Sequence, residues 1–65
     1  MDELRTVEHP IGTWYYKKDS NILHRLNGPA IDLLNGHKEW YLNDQYIPVK
    51  SQEEFERYIK LLVFI

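Results

Sequence analysis

Short alternating runs of apolar and polar residues, typical of strands, fill the middle of the chain. In the run IGTWYYKK (residues 11–18) the alternation of β-forming residues places Trp14 and Tyr16 on one face and Tyr15 on the other. A polar turn follows, and ILHR (residues 22–25) is predicted to return as the partner strand of a hairpin.

Turn residues divide the next stretch of the chain. The NGP motif at residues 27–29 combines two residues that tolerate positive φ with one that fixes φ, so we expect a strand to end there and the chain to bend. The NG pair at residues 35–36 is a strong hairpin signal. The strand that returns from it, HKEWYL (residues 37–42), carries Trp40 on one face and Tyr41 on the other.

The two ends of this region are less regular. Residues 1–10 show no period and end at a proline, so they are predicted to form an arm or, at most, an edge strand. The polar pair ND (residues 43–44) turns the chain into QYIPV (residues 45–49), where Pro48 indicates an edge strand or the end of pairing.

The period changes to that of a helix after residue 50. Ser51 at the N-cap position and Glu54 three residues later form a capping box. Phe55, Ile59 and Leu62 recur at helical spacing, so one stripe is predicted to lie on the sheet. The predicted fold class is α+β, a small antiparallel β-meander of four to five strands with one C-terminal helix.

The predicted organisation is one domain in three parts. They are an N-terminal arm (residues 1–10), a β-meander of two repeat-like hairpin units (residues 11–50), and a C-terminal capping helix with an apolar tail (residues 51–65). The two units are indicated by the likeness of TWYYKKDSNILHR to EWYLNDQYIPV, which repeat a Trp-Tyr pair at a spacing found in repeat proteins. A helix after the second unit can act as its cap.

The turn-rich stretch LHRLNGPAIDLLNGHKEWYLND resembles the tandem repeats of small, mostly uncharacterised proteins of tailed bacteriophages and some bacteria. Their unit has approximately the pattern Trp-Tyr-x-Asn-Gly-x-x-His-Arg-x-Asp/Asn-Gly-Pro-Ala followed by a short strand, and a helical tail similar to IPVKSQEEFERYIKLL often follows the last unit. The residues that carry the resemblance are His24-Arg25, Asn27-Gly28-Pro29-Ala30, Asn35-Gly36 and Trp40-Tyr41-Leu42-Asn43. The resemblance implies a phage or prophage accessory gene as the source and does not imply a reaction.

The chain departs from that repeat pattern at three places. KKDSNI stands where a tight Asn-Gly turn is expected, Asp44 stands in place of a glycine, and no second His-Arg pair follows. These departures exclude a long repeat array.

Size and composition narrow the classes of function. The chain has 65 residues and no cysteine, which excludes disulfides and the usual zinc-finger spacings and favours a reducing compartment. We therefore expect a cytoplasmic protein, in the host cytoplasm if the gene belongs to a phage. Its three histidines lack metal-ligand spacing, so no metal is predicted. A chain this small buries only about 60% of its unfolded surface, so association with itself or with a partner is expected to stabilise it.

Charge and hydropathy exclude two kinds of partner. Ten acidic against eight basic residues give a net charge of -2, which disfavours duplex nucleic acid and anionic membranes. The start MDELRTVEHP lacks the positive charge and apolar core of a signal peptide. The run YIKLLVFI is too short to span a hydrocarbon core, which needs roughly 20 residues.

His24 and Arg25 form the first candidate site. Beside a Gly-Pro turn, a guanidinium fork and the N–H groups of the loop can hold an anion. The same two side chains can instead lock the turn through hydrogen bonds to neighbouring carbonyls, because buried polar groups are paired. At the level of the sequence both interpretations stay open.

The aromatic residues form the second candidate site. Alternation predicts that Trp14, Tyr16 and Trp40 pack in the core, whereas the other aromatic residues of the strands face outward and are suited to recognition. Together with nearby lysines, such rings can also stack a base and neutralise a phosphate. The outward residues are Tyr15, Tyr41 and Tyr46, and the lysines are Lys17, Lys18 and Lys38.

The apolar tail is the third candidate, as a surface for oligomers or partners. Leu61, Leu62, Val63, Phe64 and Ile65 exceed what one helical stripe can bury. Each large side chain left in water forgoes roughly 1.5–3 kcal/mol. We expect a homo-oligomer that packs the tails together, or a partner's groove that covers them. The alternative is that the end of the chain joins the core as a buried strand.

The sequence contains no catalytic residue order, no phosphate-binding glycine loop and no metal-ligand spacing, so it predicts neither an enzyme nor a cofactor. The main hypothesis is a non-enzymatic phage accessory protein that interferes with a host factor or host defence system through protein–protein contacts. One alternative is an oligomeric sponge for a nucleotide-like signal, held by tyrosine rings, Arg25 and lysines. The other is a minor structural or assembly component of the virion.

Overall fold

A computed structural model of the chain describes residues 4–63 as a five-stranded antiparallel sheet followed by one helix. The strands lie side by side in chain order, so the sheet is a simple meander. The elements are β1 (Leu4–His9), β2 (Gly12–Lys17), β3 (Ile31–Leu33), β4 (Lys38–Leu42), β5 (Gln45–Ile47) and α1 (Gln52–Val63). The predicted α+β class, with four to five strands and one C-terminal helix, is confirmed.

The N-terminal segment forms an edge strand and not an arm. β1 pairs with β2 along its whole length. Arg5 anchors it, because the guanidinium lies 4.5 Å from the centre of the Tyr16 ring and its Nη2 donates to the carbonyl oxygen of Ser20 at 2.8 Å. The sheet therefore begins at Leu4 rather than at residue 11.

Two of the predicted turns close hairpins, as expected. Asn43 and Asp44, between β4 and β5, have φ angles of 49° and 71°, the left-handed conformation that both central residues of a type I′ turn require. Gly36, between β3 and β4, has a φ of 94°. Pro48 follows β5 immediately and ends the pairing.

The predicted return of residues 22–25 beside residues 11–18 is confirmed, but these residues cover only the end of β2. Leu23 bridges Tyr16, and the Lys17 N–H donates to the Ile22 carbonyl at 2.9 Å. The start of β2 pairs instead with β3, and β1 lies along its other side. Residues 22–25 and β3 therefore occupy the same row of the sheet, between β2 and β4. The residues between them, 26–29, leave the row as a loop, called the LNGP loop below.

Backbone hydrogen bonds hold this interrupted row between β2 and β4. Before the loop, the His24 N–H donates to the Tyr15 carbonyl at 3.1 Å, and the Arg25 N–H donates to the Tyr41 carbonyl at 3.4 Å. After the loop, the Ala30 carbonyl accepts from the Tyr15 N–H at 2.8 Å. The backbones of His24, Arg25 and Ala30 therefore hydrogen-bond to the neighbouring strands at the points where the loop leaves the sheet and returns to it.

The core lies between α1 and one face of the β4–β5 hairpin. Trp40, Ile47 and Phe55 are buried there as one cluster. The partly buried side chains that pack against this cluster are Leu42, Val49, Tyr58 and Ile59. The side of the sheet that bears α1 is called the helix face below, and the other side the open face.

Strand register places the two tryptophans on opposite faces. Trp14 lies opposite Ile31, and Ile31 lies opposite Glu39, so these three side chains share one face. Trp40 follows Glu39 along β4 and points to the other face, where the helix packs. The prediction that Trp14 and Tyr16 pack in the core with Trp40 is therefore wrong, because both lie half-buried on the open face.

The helix begins as its sequence predicts. Ser51 Oγ accepts the Glu54 N–H at 3.2 Å, and Glu54 Oε1 accepts the Lys50 N–H at 2.8 Å, so the reciprocal bond of the capping box reaches one residue further back than usual. Among the predicted stripe residues, Phe55 is buried, but Leu62 is 48% exposed. The last turn of α1 extends past the core cluster.

Candidate functional site

Arg25 holds the base of the LNGP loop. Its guanidinium carbon lies 3.9 Å from the centre of the Tyr15 ring, Nη1 donates to the Pro29 carbonyl at 3.2 Å, and Nε donates to Asn27 Oδ1 at 3.4 Å. Gly28 lies against the same group, since a Cβ built there would stand 2.6 Å from the guanidinium carbon. A larger residue at position 28 would have to push the guanidinium from this place, so glycine suits a loop that closes over the arginine.

His24 is buried beside the β4–β5 turn. Its side chain is 5% exposed, and Nδ1 accepts a hydrogen bond from the Asn43 N–H at 3.1 Å. The ring thus supports the hairpin turn from the interrupted row. The predicted bond to a carbonyl of the Gly-Pro turn is made by Arg25, whereas the Nδ1 bond of His24 goes to the N–H of a different turn.

A groove of about 510 Å³ lies between the LNGP loop, the start of β4 and the start of α1. Three cationic residues line this cationic groove: Arg25 at the base of the loop, Lys38 on β4, and Lys50 just before the helix. Asp32 also lines it, and its Oδ1 accepts a hydrogen bond from Lys38 Nζ at 2.8 Å.

One side chain joins the walls of the cationic groove. Gln52 Oε1 accepts the Trp40 Nε1–H at 2.8 Å, and Gln52 Nε2 donates to the Leu26 carbonyl at 3.0 Å. The amide therefore links the buried core, the first turn of α1 and the LNGP loop. The distance between the loop wall and the helix wall is set by these two bonds.

Of the three lysines of the predicted phosphate site, Lys38 lines the cationic groove with Arg25, and the other two do not. Lys17 is half-buried at the end of β2, Lys18 is exposed in the turn after it, and neither lines the cationic groove. Lys38 lines the cationic groove, although from the sequence it was predicted only to lie near the aromatic residues. Lys50 was not predicted as a site residue, because a single lysine before a helix gives no periodic pattern. Its position next to the Ser51 N-cap was the signal that the sequence offered.

Tyr41 and Tyr46 form an aromatic pair on the open face. Their ring centres lie 5.6 Å apart in an edge-to-face arrangement, and Tyr46 is 52% exposed. The Tyr41 hydroxyl donates to Glu39 Oε1 at 3.1 Å, and the other carboxylate oxygen lies 2.7 Å from His37 Nε2. Burial, followed by the hydrogen bond to Glu39 and its negative charge, raises the pKa of Tyr41.

The open face also carries aromatic residues that were predicted to be core. The Trp14 ring packs edge-to-face on His9, with ring centres 4.6 Å apart, and the Tyr16 ring lies under Arg5. Tyr15, predicted to face outward with Tyr41, lies instead on the helix face under Arg25. A band of four aromatic side chains, called the aromatic band below, thus crosses the open face: Trp14, Tyr16, Tyr41 and Tyr46.

The apolar tail is described only in part. Leu61 and Leu62, in the last turn of α1, are 64% and 48% exposed. Val63 ends the helix, its side chain lies outside the described residues, and so do Phe64 and Ile65. Covering of this surface by an oligomer or partner stays a prediction.

Residues 4–63 contain no cluster of three or more His, Cys, Asp or Glu side chains placed to hold a metal ion. Within the same residues, α1 lacks the length and apolar character needed to cross a membrane.

Comparison with other proteins gives no assignment. No family model matches the chain, and neither the curated proteins nor the solved structures include a match. The resemblance of the turn-rich stretch to phage repeat proteins therefore stays a prediction. What carries a functional inference is the geometry of the aromatic band and of the cationic groove.

Proposed function

We propose that the protein is a non-enzymatic binding protein that acts through protein–protein contacts on a protein of the bacterial host, with the open face as its contact surface. The observation that carries this proposal is the aromatic band, which lies on the side of the sheet away from α1. Aromatic residues are enriched at protein interfaces, where charged residues are depleted.

The composition of the open face supports an interface. An antiparallel sheet with one solvated face normally alternates apolar residues inward with polar residues outward. Here the open face carries Trp14, Tyr16 and Ile31 across its centre and the Tyr41–Tyr46 pair at one end. Such a face resembles the apolar centre and polar rim of a binding surface, with Glu39 and His37 among its polar members.

Contacts within the aromatic band also favour binding. Tyr41 is held by its bond to Glu39 and by the ring of Tyr46, Trp14 by the ring of His9. Side chains already held in one rotamer lose less conformational entropy when a partner binds. The assignment of a host protein as partner rests on the sequence resemblance to phage accessory proteins.

Affinity capture from bacterial lysate with three forms of the protein tests the proposal. The forms are the wild type, the double variant Trp14→Thr with Tyr46→Ala, and the control Leu34→Ser, which changes an apolar residue that is 81% exposed and outside the aromatic band. We expect one captured protein to be retained by wild type and control and lost with the double variant, whose fold is checked by circular dichroism. Titration with that purified partner should then show at least a tenfold weaker affinity for the double variant.

Two results would count against the proposal. Equal loss of the captured protein with Leu34→Ser would show that the capture is non-specific. Absence of any specific partner with folded wild-type protein would remove the host-protein assignment. Native mass spectrometry adds a separate outcome: a homodimer that dissociates on Tyr46→Ala would make a second copy, rather than a host protein, the occupant of the open face.

A further inference from the structure

We infer that the cationic groove binds the phosphate group of a small molecule. This inference is independent of the proposal for the open face, because the cationic groove lies on the helix face, between the LNGP loop and the start of α1. It rests on the charges that line the groove, on the fixed position of Arg25, and on the size of the space.

The lining of the cationic groove has a net charge that matches a phosphate monoester. Arg25, Lys38 and Lys50 contribute three positive charges and Asp32 contributes one negative charge, so the balance is 3 − 1 = +2. A phosphate monoester carries about −1.5 to −2 at neutral pH, whereas a single carboxylate carries about −1. The protein as a whole has a net charge of -2, so this concentration of positive charge is local.

Two of these cations have no carboxylate partner among residues 4–63. Arg25 is bonded to a carbonyl and an amide oxygen, which leaves its Nη2 without a hydrogen-bond acceptor there, and the Lys50 ammonium group has none either. Lys38 is paired with Asp32, and both side chains are partly exposed. Arginine binds phosphate through a planar fork, and lysine binds it as a point charge, so the lining of the groove offers a phosphate group both kinds of contact.

Arg25 is already ordered for such a contact. Its guanidinium lies between the Tyr15 ring and the backbone of Gly28, and the Pro29 and Asn27 oxygens fix its plane. A ligand therefore does not need to immobilise a long flexible side chain, which lowers the entropic cost of binding.

The dimensions of the cationic groove favour a small molecule over a macromolecule. Its volume of about 510 Å³ falls within the roughly 300–1,000 Å³ typical of small-ligand sites. The helix start is not needed for the inference, since Ser51 Oγ is already used as the acceptor for the Glu54 N–H. Two carboxylates of the helix lie next to lining residues: Glu54 Oε1 accepts the Lys50 N–H at 2.8 Å, and Glu56 Oε2 accepts a bond from Gln52 Nε2 at 3.1 Å.

Titration of the ¹⁵N-labelled protein with inorganic phosphate, adenosine 5′-monophosphate and adenosine tests the inference at constant ionic strength. We expect saturable shifts of the amides at residues 25–28 and 50–52 with the two phosphate compounds and none with adenosine. Tighter binding of the monophosphate than of phosphate would identify a phosphorylated small molecule as the ligand class, and equal binding would identify the phosphate ion alone.

Matched lysine variants locate the site. Lys50→Gln and Lys60→Gln change the net charge equally, but Lys60 lies in the last turn of α1, away from the cationic groove. Lys50→Gln should weaken phosphate binding about fivefold, and Lys60→Gln should leave it unchanged. Arg25→Lys keeps the charge but loses the fork and the stacking on Tyr15, so it should weaken binding at least as much while the amide spectra of β1 and β5 stay as in the wild type.

Three results would overturn the inference. They are equal weakening by Lys60→Gln, equal shifts with adenosine, and no saturable shift of the groove amides with either phosphate compound. The variant Tyr46→Ala keeps the two proposals separate, because it removes part of the aromatic band and should bind phosphate like the wild type.

Discussion

Trp14-Tyr15 on β2 and Trp40-Tyr41 on β4 are the same dipeptide in two strands of one sheet, yet the two copies point in opposite directions. Trp40 is buried beneath α1, and Trp14 lies half-buried on the open face with Tyr41. The tyrosines are reversed in the same way, since Tyr15 lies on the helix face under Arg25. The likeness of the two segments is therefore one of sequence and not of environment.

The opposite orientation of the two tryptophans follows from how β3, which lies between β2 and β4, pairs with each of them. β3 pairs with both β2 and β4, and its register puts Trp14 opposite Ile31 and Ile31 opposite Glu39, one residue before Trp40. Because side chains alternate with a period of two, a shift of one residue in pairing sends a whole strand's side chains to the other face. The second copy thus supplies its tryptophan to the core, and the first copy supplies its tryptophan to the open face.

The largest expected difference between the two copies is in stability. A chain of this length is expected to have a free energy of unfolding of only about 3–10 kcal/mol, at roughly 0.05–0.15 kcal/mol per residue. Trp40→Ala removes a side chain that is 3% exposed, packs against Phe55 and bonds Gln52, so we expect it to cost about 3–5 kcal/mol. Trp14→Ala should cost about 1–2 kcal/mol, because the side chain is only half-buried.

Urea unfolding followed by far-ultraviolet circular dichroism measures both variants without relying on tryptophan fluorescence. Should Trp40→Ala leave too little folded protein to measure, Trp40→Phe keeps part of the packing and still removes the bond to Gln52. A cost for Trp14→Ala equal to that for Trp40→Ala would mean that the open face is covered in solution.

Local rules in the sequence were enough to predict the turns and the helix. The ND pair gives a type I′ turn because both residues tolerate positive φ, and Ser51 with Glu54 begins α1 because their side chains satisfy free N–H groups. These features depend on neighbours within a few residues. They are independent of how the rest of the chain packs.

Features that depend on distant residues could not be predicted in this way. Alternation along β2 showed that Trp14 and Tyr15 point to opposite sides, but not which side the helix covers. The interrupted row could not be predicted because it consists of two segments, residues 22–25 and β3, that are separated by a loop outside the sheet. Likewise, Lys50 and Arg25 line one groove because the bond from Gln52 to the Leu26 carbonyl joins the helix start to the LNGP loop.

The next difference concerns the two arginine–tyrosine stacks, one on each face. Arg25 lies over Tyr15 on the helix face, and Arg5 lies over Tyr16 on the open face. We expect Arg25→Lys to cost about 2 kcal/mol, since it loses the stacking and the two bonds that hold the LNGP loop. Arg5→Lys should cost about 1 kcal/mol, because β1 is an edge strand and contributes less to the core.

Amide hydrogen exchange locates the effect of each arginine variant. Arg25→Lys should raise exchange at the amides that close the interrupted row, and Arg5→Lys should raise it along β1. If Arg25→Lys leaves the protection of the row unchanged, the stacked arginine does not hold the LNGP loop.

The smallest expected difference is in the response to alkaline pH and involves Tyr41. Burial, together with its hydrogen bond to Glu39 and the charge of that carboxylate, raises the pKa of Tyr41 above its ordinary value of about 10. The folded protein therefore holds the phenolic proton more tightly than the unfolded chain. This contribution to the free energy of unfolding is complete below the pKa of the tyrosine in the unfolded chain and disappears as pH rises through its pKa in the folded protein.

Tyr41→Phe should reduce the loss of stability above about pH 10, whereas Tyr15→Phe, which leaves the Tyr41–Glu39 bond intact, should not reduce it as much. Urea unfolding at a series of pH values compares the slopes, and equal slopes for Tyr41→Phe and wild type would show that the open face does not hold this proton.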